Sequence, residues 1–176
     1  QAYENKIITE NILSEVLEII QSYVWRRFVC GVATNALNKI FMDLYKDIDE
    51  SDFINSLNKS LIRKRGSQRF PKDDEVMKEL QVKDMYNIQP KNRTYFLERL
   101  ENYGHKIQTS IDGNQEISIE HIFPQKSHES WRESLGEEYE QMKNLINTAP
   151  NLTLSAFNTE LSNSPFLVKR DYPSNF

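Results

Sequence analysis

The chain has 176 residues and a formal net charge of −4, with 38% hydrophobic and 27% charged residues. This is the composition of a soluble folded protein, and we expect neither a transmembrane helix, which needs ~20 apolar residues, nor a signal peptide. The single cysteine, Cys30, excludes disulfides within the chain and a zinc site of several cysteines, and it fits a cytoplasmic location.

The first part of the chain shows the apolar spacing of amphipathic helices. A first helix, capped by Thr9 or Asn11, is predicted to continue until Gly31 interrupts it. A second helical face runs over residues 36–45, and Ser51 is predicted to cap a third helix. The spacing therefore predicts a helical region at the start of the chain.

Two further helices complete this helical region. Pro71 is predicted as the first residue of a fourth helix, where a proline sacrifices no hydrogen bond. The residues predicted to turn inward in this helix are Val76, Met77 and Leu80. A fifth helix is predicted to begin near Asn92 and to end before Gly104. Residues 1–104 are therefore predicted to be a helical scaffold.

The pattern then changes from helical to alternating. Residues 106–110 and 116–122 flank Asp112-Gly113-Asn114, and an Asp-Gly pair between two alternating runs predicts a β-hairpin. Ile117 and Ile119 alternate with polar residues, as in a strand with one buried face. A strand is therefore predicted directly before a Glu-His pair.

The end of the chain combines short elements of both kinds. A helix is predicted over residues 137–146, a short strand over 151–154 and a short helix over 155–161. The tail beyond Pro165 is expected to be irregular. The fold class is thus predicted as α+β, mainly α, with a small core over residues 105–176.

The Glu120-His121 pair at the predicted strand end is the most informative for chemistry. Histidine has an unperturbed pKa near neutrality, which suits a general base. The adjacent carboxylate is a hard oxygen ligand for Mg²⁺ or Mn²⁺. The alternative is structural, with the histidine simply hydrogen-bonded at the strand end. The pair alone does not decide between these roles.

A second polar stretch downstream of this pair completes a recognisable pattern. The matching residues are Glu120-His121-Ile122, Pro124-Gln125, Asn151 to Leu154, Asn158, Leu161 to Asn163, Phe166 and Lys169. This pattern resembles the HNH-like (His-Me finger) C-terminal nuclease domain of the GmrSD family of modification-dependent (type IV) restriction enzymes and their SspE-like relatives. Segments at residues 23–27 and 69–71 are similar as well, so the resemblance covers nearly the whole chain.

The resemblance implies a β-hairpin and a helix folded around one divalent metal ion, Mg²⁺ or Mn²⁺. His121 would be the general base that activates water. Asn158 would hold the metal together with Glu120, and Asn163 is the alternative to Asn158. Strict alternation points Glu120 and His121 to opposite faces of a strand. Both therefore serve one site only if the backbone bends or the carboxylate acts through water.

The resemblance also implies positioning roles. Asn151 would orient the histidine from the partner strand, while Asn163 and Lys169 would brace the loop or contact phosphate. The family usually has glycine where this chain has Pro150, and proline removes a backbone donor. The turn into the second strand is therefore expected to differ from that of the family.

The function implied is hydrolysis of phosphodiester bonds in double-stranded DNA, with or without modified bases, by the C-terminal effector of an anti-phage restriction protein. Modification sensing and nucleotide-dependent control would lie in an N-terminal domain that this sequence does not contain. The sequence does not begin with Met, and we expect it to be a fragment or a processed product.

Two alternatives to a DNA endonuclease stay open at this point. One is an inactive module of the same fold that binds DNA or a partner subunit, which the acidic net charge and Pro150 favour. The other is a ribonuclease that uses the same residues. The basic run from Arg63 to Lys72 either contacts phosphates or is an ordinary solvated surface.

Overall fold

The structure is a computed structural model that describes residues 2–173. The chain forms two compact units. The first unit extends to Glu79 and the second begins at Leu80. This division differs from the boundary predicted at Gly104. The reason is that the fifth helix contacts a strand of the second unit. Among the described residues, no helix is long and apolar enough to cross a membrane.

The first unit is built from helices around a small apolar core. Its helices are α1 (Glu10–Val29), α2 (Leu37–Leu44), α3 (Phe53–Arg63) and most of α4 (Asp73–Val82). The buried side chains of its core are Tyr23, Ile40, Leu44, Leu57 and Leu61. They come from α1, α2 and α3, and the helical periodicity of the sequence correctly predicted these positions. Phe41 and Tyr45, which belong to the second predicted face, are instead 37% and 39% exposed.

The ends of the first helices show which capping predictions were correct. The hydroxyl of Thr9 accepts a hydrogen bond from the amide of Ile12 at 3.4 Å, so Thr9 caps α1 as predicted. Gly31 adopts a φ of +62° just after this helix, also as predicted. Ser51 is not the cap of α3. Instead, its amide donates to the carboxylate of Asp49 at 2.9 Å within a short 3₁₀ turn.

The helix α4 begins later than the proline predicted to start it. Pro71 precedes the helix, and its carbonyl accepts a hydrogen bond from Arg26 at 3.3 Å. The helix starts at Asp73 with three consecutive acidic residues, which interact favourably with its N-terminal dipole. Met77 is 59% exposed. Its predicted inward orientation was therefore wrong.

The second unit combines helices with a short antiparallel pair of strands. Its elements after α4 are α5 (Pro90–Glu101), β1 (Ser118–His121), α6 (Glu129–Leu135), α7 (Tyr139–Asn144), β2 (Leu152–Ser155), α8 (Asn158–Leu161) and α9 (Phe166–Arg170). The register pairs Ser118 with Ser155 and His121 with Leu152. The molecule is therefore mainly helical with a small antiparallel sheet, which confirms the predicted α+β class.

The loop between the strands folds over its own aromatic core. Phe123, Trp131 and Tyr139 are buried together, with edge-to-face ring contacts at 5.2 and 5.8 Å between Phe123 and the other two. The indole of Trp131 also donates to the carbonyl of Ser164 at 3.0 Å, directly before α9. This contact fixes the tail, which the sequence had predicted to be irregular.

The predicted hairpin at residues 106–122 is wrong, because β1 pairs with β2. The Asp-Gly turn itself forms, with Gly113 at a φ of +78°. The segment before it is held by side chains of α5 and its C-terminus. Asn102 binds both the amide and the carbonyl of Thr109, and the carboxylate of Glu98 accepts from the amide of Ile111 at 2.6 Å. These contacts replace the hydrogen bonds of a strand ladder.

Candidate functional site

His121 is the last residue of β1 and is only 8% exposed. Its ring packs edge-on against that of Tyr86, with 4.5 Å between the ring centroids. The ring nitrogen Nε2 lies 3.3 Å from Oδ1 of Asn147. Burial lowers the pKa of His121 below its ordinary value of 6.5, and the contact with Asn147 opposes this shift. The imidazole is therefore neutral at physiological pH, as a general base must be.

An open cleft of about 300 Å³ lies beside this histidine. Besides His121, its lining includes the polar residues Tyr86, Glu120, Gln125, Lys126, Asn158, Ser162 and Asn163. The cleft thus brings together His121, Glu120 and the two candidate asparagines, which come from β1, the start of α8 and the turn after it. Their assembly in one place agrees with the motif.

Asn158 is the first residue of α8 and ties this helix to β1. Its amide nitrogen donates to the carbonyl of Ile119 at 2.9 Å and to the hydroxyl of Ser118 at 3.1 Å. Because the amide nitrogen is bound to β1, the oxygen Oδ1 is the atom of Asn158 that can bind a cation. Asn163 follows Ser162, which has a φ of +38°, and its side chain lies at the exposed rim of the cleft.

Glu120 is buried, and its carboxylate forms an ion pair with Lys169 of α9. Both side chains are 6% exposed, and Lys169 also donates to the carbonyl of His121 at 2.9 Å. In this arrangement the lysine neutralises the charge of the carboxylate. Of the two roles predicted for Lys169, bracing the loop is the one that matches its contacts.

Asn151 lies at the junction between the loop and β2 and is 5% exposed. Its side chain exchanges two hydrogen bonds with the main chain of Phe123, at 2.7 and 2.9 Å. The same amide donates to the carbonyl of Ile146 at 2.7 Å. We expected Asn151 to orient the histidine, but its side chain fixes the chain that follows β1. It can position His121 only indirectly, through the main chain.

The residue whose side chain lies within hydrogen-bond distance of the imidazole nitrogen is Asn147. It was not among the residues predicted from the sequence. It lies four positions before Asn151 in the polar turn after α7. The only signal in the sequence was a polar residue directly after Leu145 and Ile146. Such a residue is also typical of an ordinary turn, so the sequence alone did not distinguish it.

The ligand atoms around the cleft determine which kind of divalent cation fits there. Within residues 2–173, no group of three or more His, Cys, Asp or Glu side chains could hold a metal ion. A zinc-type centre is therefore not formed by the described residues. Amide oxygens at the cleft match the preference of Mg²⁺, which keeps several waters and needs few protein ligands. The donor set thus fits a sparsely coordinated, oxygen-liganded cation.

Comparison with known proteins gave one family and no individual relative. The sequence model of the GmrSD restriction endonuclease C-terminal domain matches residues 70–175. This match covers more than half of the chain and includes every residue of the cleft, whereas most of the first unit lies outside it. No curated protein and no solved structure matched the chain.

Proposed function

The chain belongs to the family of GmrSD restriction endonuclease C-terminal domains, and from this premise we propose that it is a metal-dependent DNA endonuclease with His121 as its general base. The observation that carries the proposal is a buried, neutral histidine at the end of β1, beside a cleft that Asn158 and Asn163 also line. In this proposal β1, β2 and α8 are the ββα unit of an HNH-like, His-Me finger nuclease.

The chemistry of His121 follows from its surroundings. A neutral imidazole can accept the proton of a water molecule that attacks the scissile phosphorus, and proton transfer of this kind contributes about 10²–10⁴-fold to a rate. Burial supports this role, because it lowers the pKa of His121 and so favours the unprotonated ring. Asn151 keeps the loop after β1 in place and thereby maintains the position of the histidine.

The proposed metal ligand is Asn158, through its amide oxygen, and Asn163 is the alternative. A bound Mg²⁺ or Mn²⁺ would polarise the phosphate and stabilise the leaving oxygen. We propose that Glu120 and Lys169 act as a positioning pair. They join α9 to β1, and Lys169 holds the carbonyl of His121 itself.

The substrate proposed from the family is double-stranded DNA, contacted through its backbone. Lys126 lies in the lining of the cleft and can approach a phosphate there. In the first unit, a separate groove of about 760 Å³ is lined by Lys64, Arg65 and Lys72 among others. We propose that this groove also contacts DNA, and that modification sensing belongs to a nucleotide-dependent N-terminal domain in an anti-phage system. Backbone contacts of this kind carry little sequence information.

A non-cleaving binding module of the same fold is the second candidate. The observation that favours it is the neutralised carboxylate of Glu120, which leaves the cleft with amide oxygens as its main cation donors. Catalysis needs a bound cation, whereas binding to a phosphate backbone through lysines and arginines does not.

Nicking of supercoiled plasmid tests these candidates together with RNA cleavage. The protein is incubated with plasmid DNA or duplex RNA in Mg²⁺, in Mn²⁺ or in EDTA. We expect DNA nicking with either cation and none in EDTA. Cleavage of RNA alone would assign a ribonuclease. DNA binding with no cleavage in either cation would overturn the endonuclease proposal in favour of the binding module.

A further inference from the structure

We propose that Asp84 and Asn147 form a positioning chain that holds the His121 imidazole with its proton on Nε2 and leaves Nδ1 as the basic nitrogen. This inference deepens the proposed function and rests on it for its catalytic consequence. Its structural content, the position of one proton, stands independently of activity.

The main chain around Asn147 is held in place by the segment that carries Asp84. Asp84 and Thr148 form an isolated antiparallel bridge, and the amide of Met85 donates to the carbonyl of Asn147 at 2.8 Å. Met85 is fully buried and Thr148 is 2% exposed. These contacts join two segments far apart in the sequence. The side chain of Asn147 therefore extends from a fixed backbone position.

The carboxylate of Asp84 is in turn held in one orientation. Its Oδ1 accepts from the amides of Tyr86 at 3.0 Å and Asn87 at 2.7 Å, and its Oδ2 accepts from the side chain of Asn87 at 2.7 Å. Burial alone would raise the pKa of Asp84, but these hydrogen bonds, together with one from Asn147, hold it below its ordinary value. The group is therefore an ionised carboxylate that only accepts hydrogen bonds.

The orientation of the Asn147 amide follows from this acceptor. Its Nδ2 donates to Oδ2 of Asp84 at 3.3 Å, since the opposite orientation would place two acceptors together. The carbonyl oxygen Oδ1 must then face His121, 3.3 Å from Nε2. An amide oxygen accepts but does not donate. In a neutral ring the proton is therefore on Nε2, and Nδ1 keeps its lone pair.

Packing restrains the plane of the same ring. Tyr86 lies against the imidazole, and the guanidinium of Arg93 lies over the Tyr86 ring at 4.8 Å while it donates to the Tyr86 carbonyl. The charged groups near the histidine are Glu120, Lys169, Arg93 and, through Asn147, Asp84. With Tyr86 restraining the ring and Asn147 binding one nitrogen, the other nitrogen is left for proton transfer.

Nitrogen-15 NMR of the metal-free protein tests this proposal directly. Long-range ¹H–¹⁵N correlations assign the proton of His121 to Nδ1 or Nε2, and a hydrogen-bonded Hε2 exchanges slowly with water. The variants are Asn147→Ala, which removes the acceptor, and Asp84→Asn, which allows the Asn147 amide to turn over. The matched control is Asn144→Ala, an exposed asparagine of α7. Single-turnover nicking of the same proteins gives the rate constant of cleavage and the apparent KM for DNA.

We expect one Nε2-protonated form with a protected Hε2 in the unmodified protein and in Asn144→Ala. Asn147→Ala should lose the protection, and Asp84→Asn should gain an Nδ1-protonated fraction. The rates of both should fall about 10–100-fold, as for other partners that orient a histidine, with little change in KM.

Two results would overturn the proposal: an Nδ1-protonated ring in the unmodified protein, or unchanged imidazole signals in Asn147→Ala. An inactive protein with the expected imidazole signals would instead refute the proposed function and leave the positioning chain intact. Far-UV circular dichroism of each variant excludes global unfolding as a cause of these changes.

Discussion

Arg27 in the first unit and His121 in the second are both basic side chains that the fold buries, at 1% and 8% exposure. Their surroundings differ in kind. Arg27 donates to the carbonyls of Ala33, Ser67 and Arg69, so its donors fix the backbone of the loop that carries the basic run. His121 has a hydrogen-bond contact with the side chain of Asn147 and a ring contact with Tyr86, beside an open cleft.

The difference between the surroundings of Arg27 and His121 distinguishes two roles of a buried polar side chain. A side chain that satisfies several backbone carbonyls acts as part of the fold, because its removal leaves those acceptors unpaired. A side chain held by another side chain, with one nitrogen left over beside a cleft, is positioned for chemistry. We therefore expect substitutions at these two residues to separate stability from activity.

The largest effect is expected from His121→Ala on cleavage. Loss of the general base should reduce the single-turnover nicking rate by about 10²–10⁴-fold, while the free energy of unfolding changes by only about 1 kcal/mol. His105→Ala is the matched control, because His105 is exposed. An active, folded His121→Ala protein would show that the histidine is structural, as Arg27 is.

The next largest effect is expected from Arg27→Met on stability. Methionine keeps much of the apolar stem and leaves the carbonyls of Ala33, Ser67 and Arg69 without this donor, at a cost of about 2–4 kcal/mol. Arg26→Met on the same helix is the control. Arg26 donates to one main-chain carbonyl, that of Pro71. Its ion-pair partner Asp73 is exposed, and such pairs contribute about 0–1 kcal/mol. Urea unfolding measures both, and equal midpoints for the two variants would contradict the structural role of Arg27.

A smaller effect is expected from Asn158→Ala on metal dependence. Loss of one amide oxygen should raise the Mg²⁺ concentration for half-maximal activity by at least about tenfold, and excess Mg²⁺ or Mn²⁺ should restore part of the rate. Asn158→Asp keeps the oxygen but loses the donor to the Ile119 carbonyl, so it should retain more activity than Asn158→Ala but less than the unmodified protein. His121→Ala should show no such recovery, because its missing function is proton transfer.

Asn163→Ala separates the two candidate asparagines in the same titration. A shifted metal dependence in Asn163→Ala with a normal one in Asn158→Ala would move the ligand to Asn163. A normal dependence in both would make the asparagines structural. The Asn158 side chain would then act only by tying α8 to β1.

The parts of the fold that the sequence predicted are those with local causes. Thr9 and Gly31 mark the ends of α1 through their own hydroxyl and backbone conformation, and Pro90 begins α5 within two residues of the predicted start. The strand β2 was also predicted, and it begins one residue after the predicted start. In each case the information lies within a few residues of the element itself.

The failures come from contacts between distant residues. The Asp-Gly turn suggested a hairpin, but Glu98 and Asn102 bind the segment before the turn and prevent it from pairing. The motif residues His121, Asn158 and Asn163 line one cleft. The motif gave no indication of Asp84, whose contact with Asn147 spans 63 positions, because a single sequence contains no local trace of such a pair.

The pH dependence of nicking tests most directly the central claim that His121 acts as a neutral base. Single-turnover rates at saturating Mg²⁺ are measured from about pH 5 to pH 8 for the unmodified protein and for His121→Ala. Because burial lowers the pKa of His121, we predict a rate that rises with pH, with the midpoint of the rise below the ordinary histidine value of 6.5. This rise should be missing from the residual activity of His121→Ala. A rise that persists unchanged in His121→Ala would contradict the account.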